Sequence, residues 1–357
     1  MMRRAVTVLC LLVSATSASA PACARAAADE SLQIYFIDVE GGQSTLVVTP
    51  ERHSLLIDTG WAGDGNGYQP GDPHAARDAN RILAAARDAK ISAIDALFIT
   101  HFHVDHDGGV KELSQLVPIR MFIDHGAPAD GAMSTSADTA AGFKTYLEVR
   151  GDARHLEPRP GDRLPLPDVD AIVVSAAGET LKKPLPQARG ANASCQQQAT
   201  PALDPHENPR SNGVVIRFGK FRFLDLGDLS GQPLYALACP NDMVGPTDVY
   251  LVAHHGGGDQ GDLGVFAAFR PRVAVMNNGV KKGGARSTYE ALHGVPGLED
   301  VWQLHASAAA GDANFPAPYI ANLDESTAYW IKLIASRDGS FRVQNPRTGE
   351  WHSYPAR

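Results

Sequence analysis

The chain has 357 residues, ordinary apolar content and a formal net charge of −8. An acidic balance excludes strong non-specific attachment to nucleic acid, which depends on neutralising phosphates, so no stable nucleic-acid partner is expected. Beyond the N-terminal stretch, no segment approaches the roughly 20 apolar residues that a membrane span needs, and the mature chain is expected to be soluble.

Residues 1–28 read as a secretory signal peptide. Arg3 and Arg4 precede the apolar run 5–13, and small residues follow up to Ala18-Ser19-Ala20. A basic start, a short apolar core and an A-x-A site are the marks of such a signal. A second cleavage site, Ala26-Ala27-Ala28, is preferred because Asp29-Glu30 follows it at once. Export to the periplasm or the exterior is therefore expected, leaving residues 29–357 as one unit. Cys10 and Cys23 leave with the signal, and Cys195 and Cys239 remain. In an oxidising compartment these two can pair as a disulfide or stay as separate thiols.

The mature chain alternates strands and helices. Residues 32–38 read as a strand with Ile34 and Phe36 on one face and Tyr35 and Ile37 on the other, running into the Gly41-Gly42 turn. Strands follow at 44–49 and 54–58, then a helix at 78–89. Residues 94–100 form a short, nearly continuous apolar run, as expected of a strand buried on both faces. A helix is expected at 110–116, and further strands at 120–124, 171–175, 213–218, 221–226, 249–253 and 273–276. Pro-, Asn- and Asp-rich composition marks 158–167 and 199–212 as loops. Near the end, 331–335, Asp338-Gly339 and 341–343 read as a structural hairpin. With no linker between two cores, the pattern predicts a single layered α/β domain.

The chemistry gathers where strands end. Thr100-His101-Phe102-His103-Val104-Asp105-His106 places three imidazoles and a carboxylate in six residues after the strand at 94–100. Such a loop can aim all four at one point, and this donor set suits zinc or a similar divalent ion. Open coordination positions let a bound water become hydroxide near neutral pH. There is no G-x-S-x-G nucleophile elbow and no P-loop, so neither serine chemistry nor nucleotide switching has support.

His101-Phe102-His103-Val104-Asp105-His106 resembles the signature of the metallo-β-lactamase superfamily. Asp58-Thr59-Gly60 matches its upstream turn, Leu226-Gly227-Asp228 its glycine-aspartate, and Val252-Ala253-His254-His255-Gly256 its late histidine motif. The four motifs stand in the family's order. The resemblance implies an αββα four-layer sandwich with two divalent metals at one edge: zinc, with manganese or iron also tolerated. It implies that His101 and His103 hold one metal, that Asp105, His106 and one late histidine hold the other, and that Asp228 bridges them. Strand alternation lets only one of His254 and His255 face the site; His255 is the preferred ligand, with His254 contacting substrate or protonating a leaving group. On the same resemblance, Asp105 would also orient the attacking hydroxide, and Asp58 would steady a ligand histidine through its distal N–H.

The branch is narrowed by Asp38-Val39-Glu40-Gly41-Gly42-Gln43-Ser44 and by Asn212. These resemble the competence-type DNA-uptake hydrolase domains and the bacterial phosphorylcholine esterases. True β-lactamases place a histidine where this chain has Ser211-Asn212, so one metal lacks a protein ligand there; His125 or water could fill the gap. The resemblance implies hydrolysis of a small phosphodiester or related phosphate ester, with lactones, thioesters and β-lactams as the alternative. Lys281-Lys282 could meet a substrate phosphate or be solvated loop lysines, and Trp61 and Tyr68 could wall the site or belong to a surface loop. A non-catalytic metal-binding module is the alternative of another class, disfavoured by paired metals with an open face.

Overall fold

The computed structural model describes residues 30–65, 68–195, 206–260 and 262–357. The expected signal peptide lies outside the described residues. The first half of the chain supplies β1 (Leu32–Phe36), β2 (Thr45–Val48), β3 (Ser54–Ile57), α1 (Arg77–Asp88), β4 (Ala96–Phe98), α2 (Val104–Asp107), α3 (Val110–Leu116), β5 (Met121–Ile123), α4 (Asp130–Thr135), α5 (Ala137–Arg150) and β6 (Arg154–Leu156). The second half supplies β7 (Asp170–Ala176), β8 (Glu179–Thr180), β9 (Gly190–Ala191), β10 (Gly213–Phe218), β11 (Phe221–Asp225), α6 (Gly231–Ala238), β12 (Asn241–Asp242), β13 (Val249–Leu251), α7 (Leu263–Phe269), β14 (Val273–Met276), α8 (Arg286–His293), β15 (Asp300–His305) and β16 (Ile320–Asn322). The chain closes with β17 (Ile331–Ala335), β18 (Phe341–Asn345) and β19 (Glu350–Tyr354).

Two large sheets result. The first runs β19-β18-β17-β1-β2-β3-β4-β5-β6 and the second β16-β15-β14-β13-β11-β10-β7-β8. Alternation explains the layers. Ile34 and Phe36 of β1 face a core shared with Val214, Ile216 and Phe223 of the second sheet. Tyr35 and Ile37 face a separate core against Ile82 of α1, Leu113 of α3 and Tyr146 of α5. On the far side, Leu224 and Tyr250 pack against Leu234 of α6, Phe266 of α7 and Tyr289 of α8. This is the αββα sandwich, and no helix among the described residues is long and apolar enough to cross a membrane.

The expected strands and the helices at α1 and α3 form where the sequence places them, give or take their ends. The C-terminal hairpin gains a third strand, β19, which pairs with β18. Helix α5 lies outside the expected elements: it buries Thr139, Gly142 and Tyr146, of which the tyrosine alone is a large core side chain. Cys195 and Cys239 are joined in a disulfide, which decides between the two readings of that pair.

Strand direction sets the site. β3, β4, β5 and β6 run parallel, as do β11, β13, β14, β15 and β16. Their C-terminal ends carry Asp58, His101, Asp228 and His255, the kind of edge where ligands bind in open α/β sheets. Phe36 and Phe223 meet edge to face across the inter-sheet core, with ring centroids 5.6 Å apart. Replacing Phe223 with Ala should cost roughly 3–5 kcal/mol by removing a filled contact between the sheets. Urea unfolding measures it; a loss below about 1 kcal/mol would show that the sheets do not depend on this pair.

Candidate metal centre

The loop after β4 turns tightly into α2, and its histidines are aimed by hydrogen bonds to a carboxylate from β3. Asp58 accepts from the Thr100 backbone N–H at 2.8 Å, from Thr100 Oγ1 at 2.7 Å and from His106 Nδ1 at 2.7 Å. With its hydroxyl proton committed to Asp58, Thr100 Oγ1 can accept from His101 Nδ1 at 3.1 Å. In the neutral form that a metal ligand takes, both imidazoles therefore carry their proton on Nδ1 and turn a bare Nε2 inward. Asp58 holds this position with φ of 60°, a left-handed conformation that a side chain rarely adopts and that aspartate tolerates better than most.

Two donor groups form. Asp105, His106, Asp228 and His255 bring one atom each within 4.8 Å of one another, and His101, His103 and Asp228 do the same. Asp228 belongs to both. His106 Nε2 lies 3.3 Å from His255 Nε2, and 3.3 and 3.2 Å from Asp105 and Asp228. His255 Nε2 lies 3.2 Å from Asp105 and 3.3 Å from Asp228. In the other group His101 Nε2 and His103 Nδ1 stand 3.0 Å apart, with Asp228 at 3.8 Å from the former. Buried lone pairs crowded together repel unless a cation lies between them, so the donor set fits divalent ions.

Electrostatics agrees. Burial, reinforced by His106 and His103, holds His101 well below the usual histidine range, leaving it neutral as a ligand must be. Burial opposes charge on Asp105 and Asp228, yet Lys282 and His106 beside the first, and His106 and His255 beside the second, hold both well below the carboxylate range. His106 is the exception: burial disfavours its charge, but Asp228, Asp105 and Asp58 around it raise its pKa well above the usual range, so a metal ion bound there must displace a proton.

The late histidines depart from the expected strand alternation. They follow β13 in a tight turn with φ of 50° at His254 and 53° at His255, so both side chains reach the site. His255 enters the donor group; His254 stands beside it, Nε2 3.9 Å from Asp228 and Nδ1 3.0 Å from Asp259. His254 belongs to neither donor group. His125 does not join either: its Nε2 lies 3.1 Å from Glu207, which also accepts from the backbone of Phe102 and Ala129. Asn212 ties the metal loop from behind, its backbone N–H donating to Thr100 and its Nδ2 to Ile99.

Of the two lysines, Lys281 pairs with Glu325 at the surface, whereas Lys282 lies over the Trp61 ring and contacts Asp105. Tyr68 turns away toward α5, near Thr145 and Asp107, where burial pushes its phenol up to about 12. Sequence reasoning missed Asp259 and Glu207, which have no spacing signal, and read Lys282 as a choice it could not make. Asp38, Glu40 and His305 also converge, but Arg81 binds both carboxylates, making the cluster an ion-pair clasp. Close approach explains the Gly41-Gly42 turn: a Cβ on Gly42 would lie 2.5 Å from the Asp105 carbonyl oxygen.

Residues 37–186 match the family described as the metallo-beta-lactamase superfamily. The match takes in Asp58 and the loop from His101 to His106 and stops short of Asp228 and His255. Members of this superfamily are usually hydrolytic metalloenzymes. No curated protein matches the chain. Among solved structures, it is similar to a metallo-beta-lactamase with a HARLDQ motif from Cronobacter sakazakii, at 16% identity and TM-score 0.33 over 55% of this chain and 60% of that one. It is similar to CmlA, a diiron beta-hydroxylase from Streptomyces venezuelae, at 14% identity and TM-score 0.38 over 69% and 44%. It is similar to the metallo-beta-lactamase fold protein YhfI from Bacillus subtilis, at 11% identity and TM-score 0.44 over 76% and 96%. The chain thus spans 60% or less of the first two of these proteins.

Changing Asp58 to Asn keeps the shape but removes the carboxylate that fixes His106 and Thr100. Metal affinity, measured by competition with a chromogenic chelator, should fall about ten- to hundredfold with circular dichroism unchanged. Unaltered affinity would show that the histidines are aimed without it.

Proposed function

We propose that this chain is an exported metal-dependent hydrolase acting on a phosphodiester or related phosphate ester. The observation that carries it is the sharing of Asp228 between two adjacent histidine-carboxylate groups. A pair of divalent ions held there would supply Lewis-acid polarisation and an activated water. Zinc suits the donors, as would manganese or iron. Export is supported by the signal-like N-terminus and by the Cys195–Cys239 disulfide, which fits an oxidising compartment.

The chain's own residues have distinct parts. His101 and His103 would hold one ion; Asp105, His106 and His255 the other; Asp228 would touch both. Lys282, over Trp61, brings a cation to the edge of the centre, where an anionic ester would meet it. That charge favours a phosphate substrate over a neutral lactone or thioester.

His254 would hand a proton to the leaving group. Burial disfavours its charged form, but the hydrogen bond from Nδ1 to Asp259 and the nearby Asp228 raise its pKa. Nε2 lies 3.2 Å from the Asn208 amide. With the amide turned so that Oδ1 faces Nε2, Asn208 accepts from protonated His254, and an oxygen otherwise lacking a partner among the described residues gains one.

Metal content of the purified protein, paired with hydrolysis of bis-p-nitrophenyl phosphate before and after chelation, tests the reading. About two ions per chain, with activity lost on chelation and restored by metal, is the expected result. Two ions without turnover would move the search to lactones, thioesters and β-lactams; no metal under any loading would leave a binding module.

His254→Ala should keep both metals and lose on the order of 10²–10⁴ in kcat on an alkyl phosphodiester, with a smaller loss for Asp259→Asn. The loss should shrink on p-nitrophenyl esters, whose leaving group needs no proton. Equal losses on both substrates would remove His254 from proton transfer.

A further inference from the structure

We propose that a cavity of about 500 Å3 beside the metal centre binds a second, anionic arm of the substrate, with Arg210 as its charge partner. The inference rests on the hydrolase reading for what sits at the metals, and adds what that reading leaves open, the recognition of the rest of the molecule.

The cavity lies on the His254 side. Its wall includes Pro209 and Arg210, which directly follow Asn208, the residue in contact with His254 Nε2. The rest of the lining includes Gly131 at the start of α4, Gly178 in the β7–β8 turn, and Gln232 and Ala236 of α6. Small residues leave the space open, its volume suits a small organic molecule, and the lining among the described residues holds no carboxylate.

Arg210 is incompletely answered by the protein. Its Nη2 donates to the Ala127 carbonyl at 3.2 Å, while Nε is buried without a hydrogen-bond partner among the described residues. The nearby carboxylate, Glu207 Oε1 at 3.6 Å, already accepts from Ala129 N–H, and Glu207 Oε2 faces His125 and the Phe102 N–H. One carboxylate is therefore divided between two cationic or potentially cationic side chains and two backbone donors. A guanidinium with spare donors at the wall of a carboxylate-free cavity is suited to a carboxylate or phosphate. A substrate with its ester at the metals and its leaving-group side toward His254 would extend toward this cavity, past Asn208.

Calorimetry on the metal-loaded protein with ω-carboxyalkylphosphonates, each against the alkylphosphonate of equal length, reads the second anion directly. The carboxyl should add roughly ten- to hundredfold in affinity at the fitting length. Arg210→Ala should remove that gain, and so should Ala236→Trp, which fills the cavity from an exposed position of α6 and guards against a folding effect at Arg210. No gain at any length, or a gain that survives both variants, overturns the subsite. Hexanoate alone, followed by ligand-observed NMR, separates the two readings because it needs no phosphate at the metals. If no phosphonate binds but hexanoate binds and Arg210→Ala abolishes it, the phosphate-ester reading falls and the subsite stands. If phosphonates bind but neither hexanoate nor the added carboxyl contributes, the subsite falls and the metal centre stands.

Discussion

One buried carboxylate holds the candidate centre in shape. Asp58 binds the backbone and hydroxyl of Thr100 and the Nδ1 of His106, so a single residue from β3 fixes both the path of the loop after β4 and the orientation of its histidines. Burial raises the cost of charge there, and His106 lowers it by sharing a proton with Asp58. The left-handed backbone at Asp58, and again at His254 and His255, places costly conformations where four strand ends converge. Such conformations persist only where the surroundings over-determine them, and the two-sheet core does so.

The second requirement is that the two sheets keep a fixed relation, since each supplies part of each donor group. His101, His103, Asp105 and His106 come from the first sheet, Asp228 and His255 from the second. Polar bonds lock the seam near the site. Gln43 donates to Asp225 and accepts from Asn277, crossing from the first sheet to the ends of β11 and β14. His305, at the end of β15, reaches Asp38 after β1, which Arg81 also binds. These contacts hold the donors in register without lying among them.

Much of this was legible because the sequence concentrates it. Three imidazoles and a carboxylate in six residues after a buried strand leave few arrangements, and the alternation of β1 shows two buried faces and hence two cores. What stayed hidden depends on long-range partners or on unusual backbone. Alternation allows one of His254 and His255 to face the site only if the chain there is extended; the paired left-handed residues remove that premise. His125 looked available at a strand end, but Glu207, 82 positions later in a loop without pattern, takes it. Helix α5 buries Thr139, Gly142 and Tyr146, a face that hydrophobic spacing does not mark. Lys282 and Asp259 acquire meaning only from the fold that brings them to Asp105 and His254.

The pairing of β1 with β17 carries a temporal consequence. Leu32 lies opposite Ala335 and Phe36 opposite Ile331, so the first sheet cannot close around β1 until residues 331–335 have been made. Contacts this distant in sequence form slowly, because loop-closure entropy is spent before they are gained. During synthesis, β1 waits with the edge that β17 will take unpaired and with an apolar face. The donor residues, complete in sequence once His255 has been made, thus precede the closing of the sheet that bears most of them.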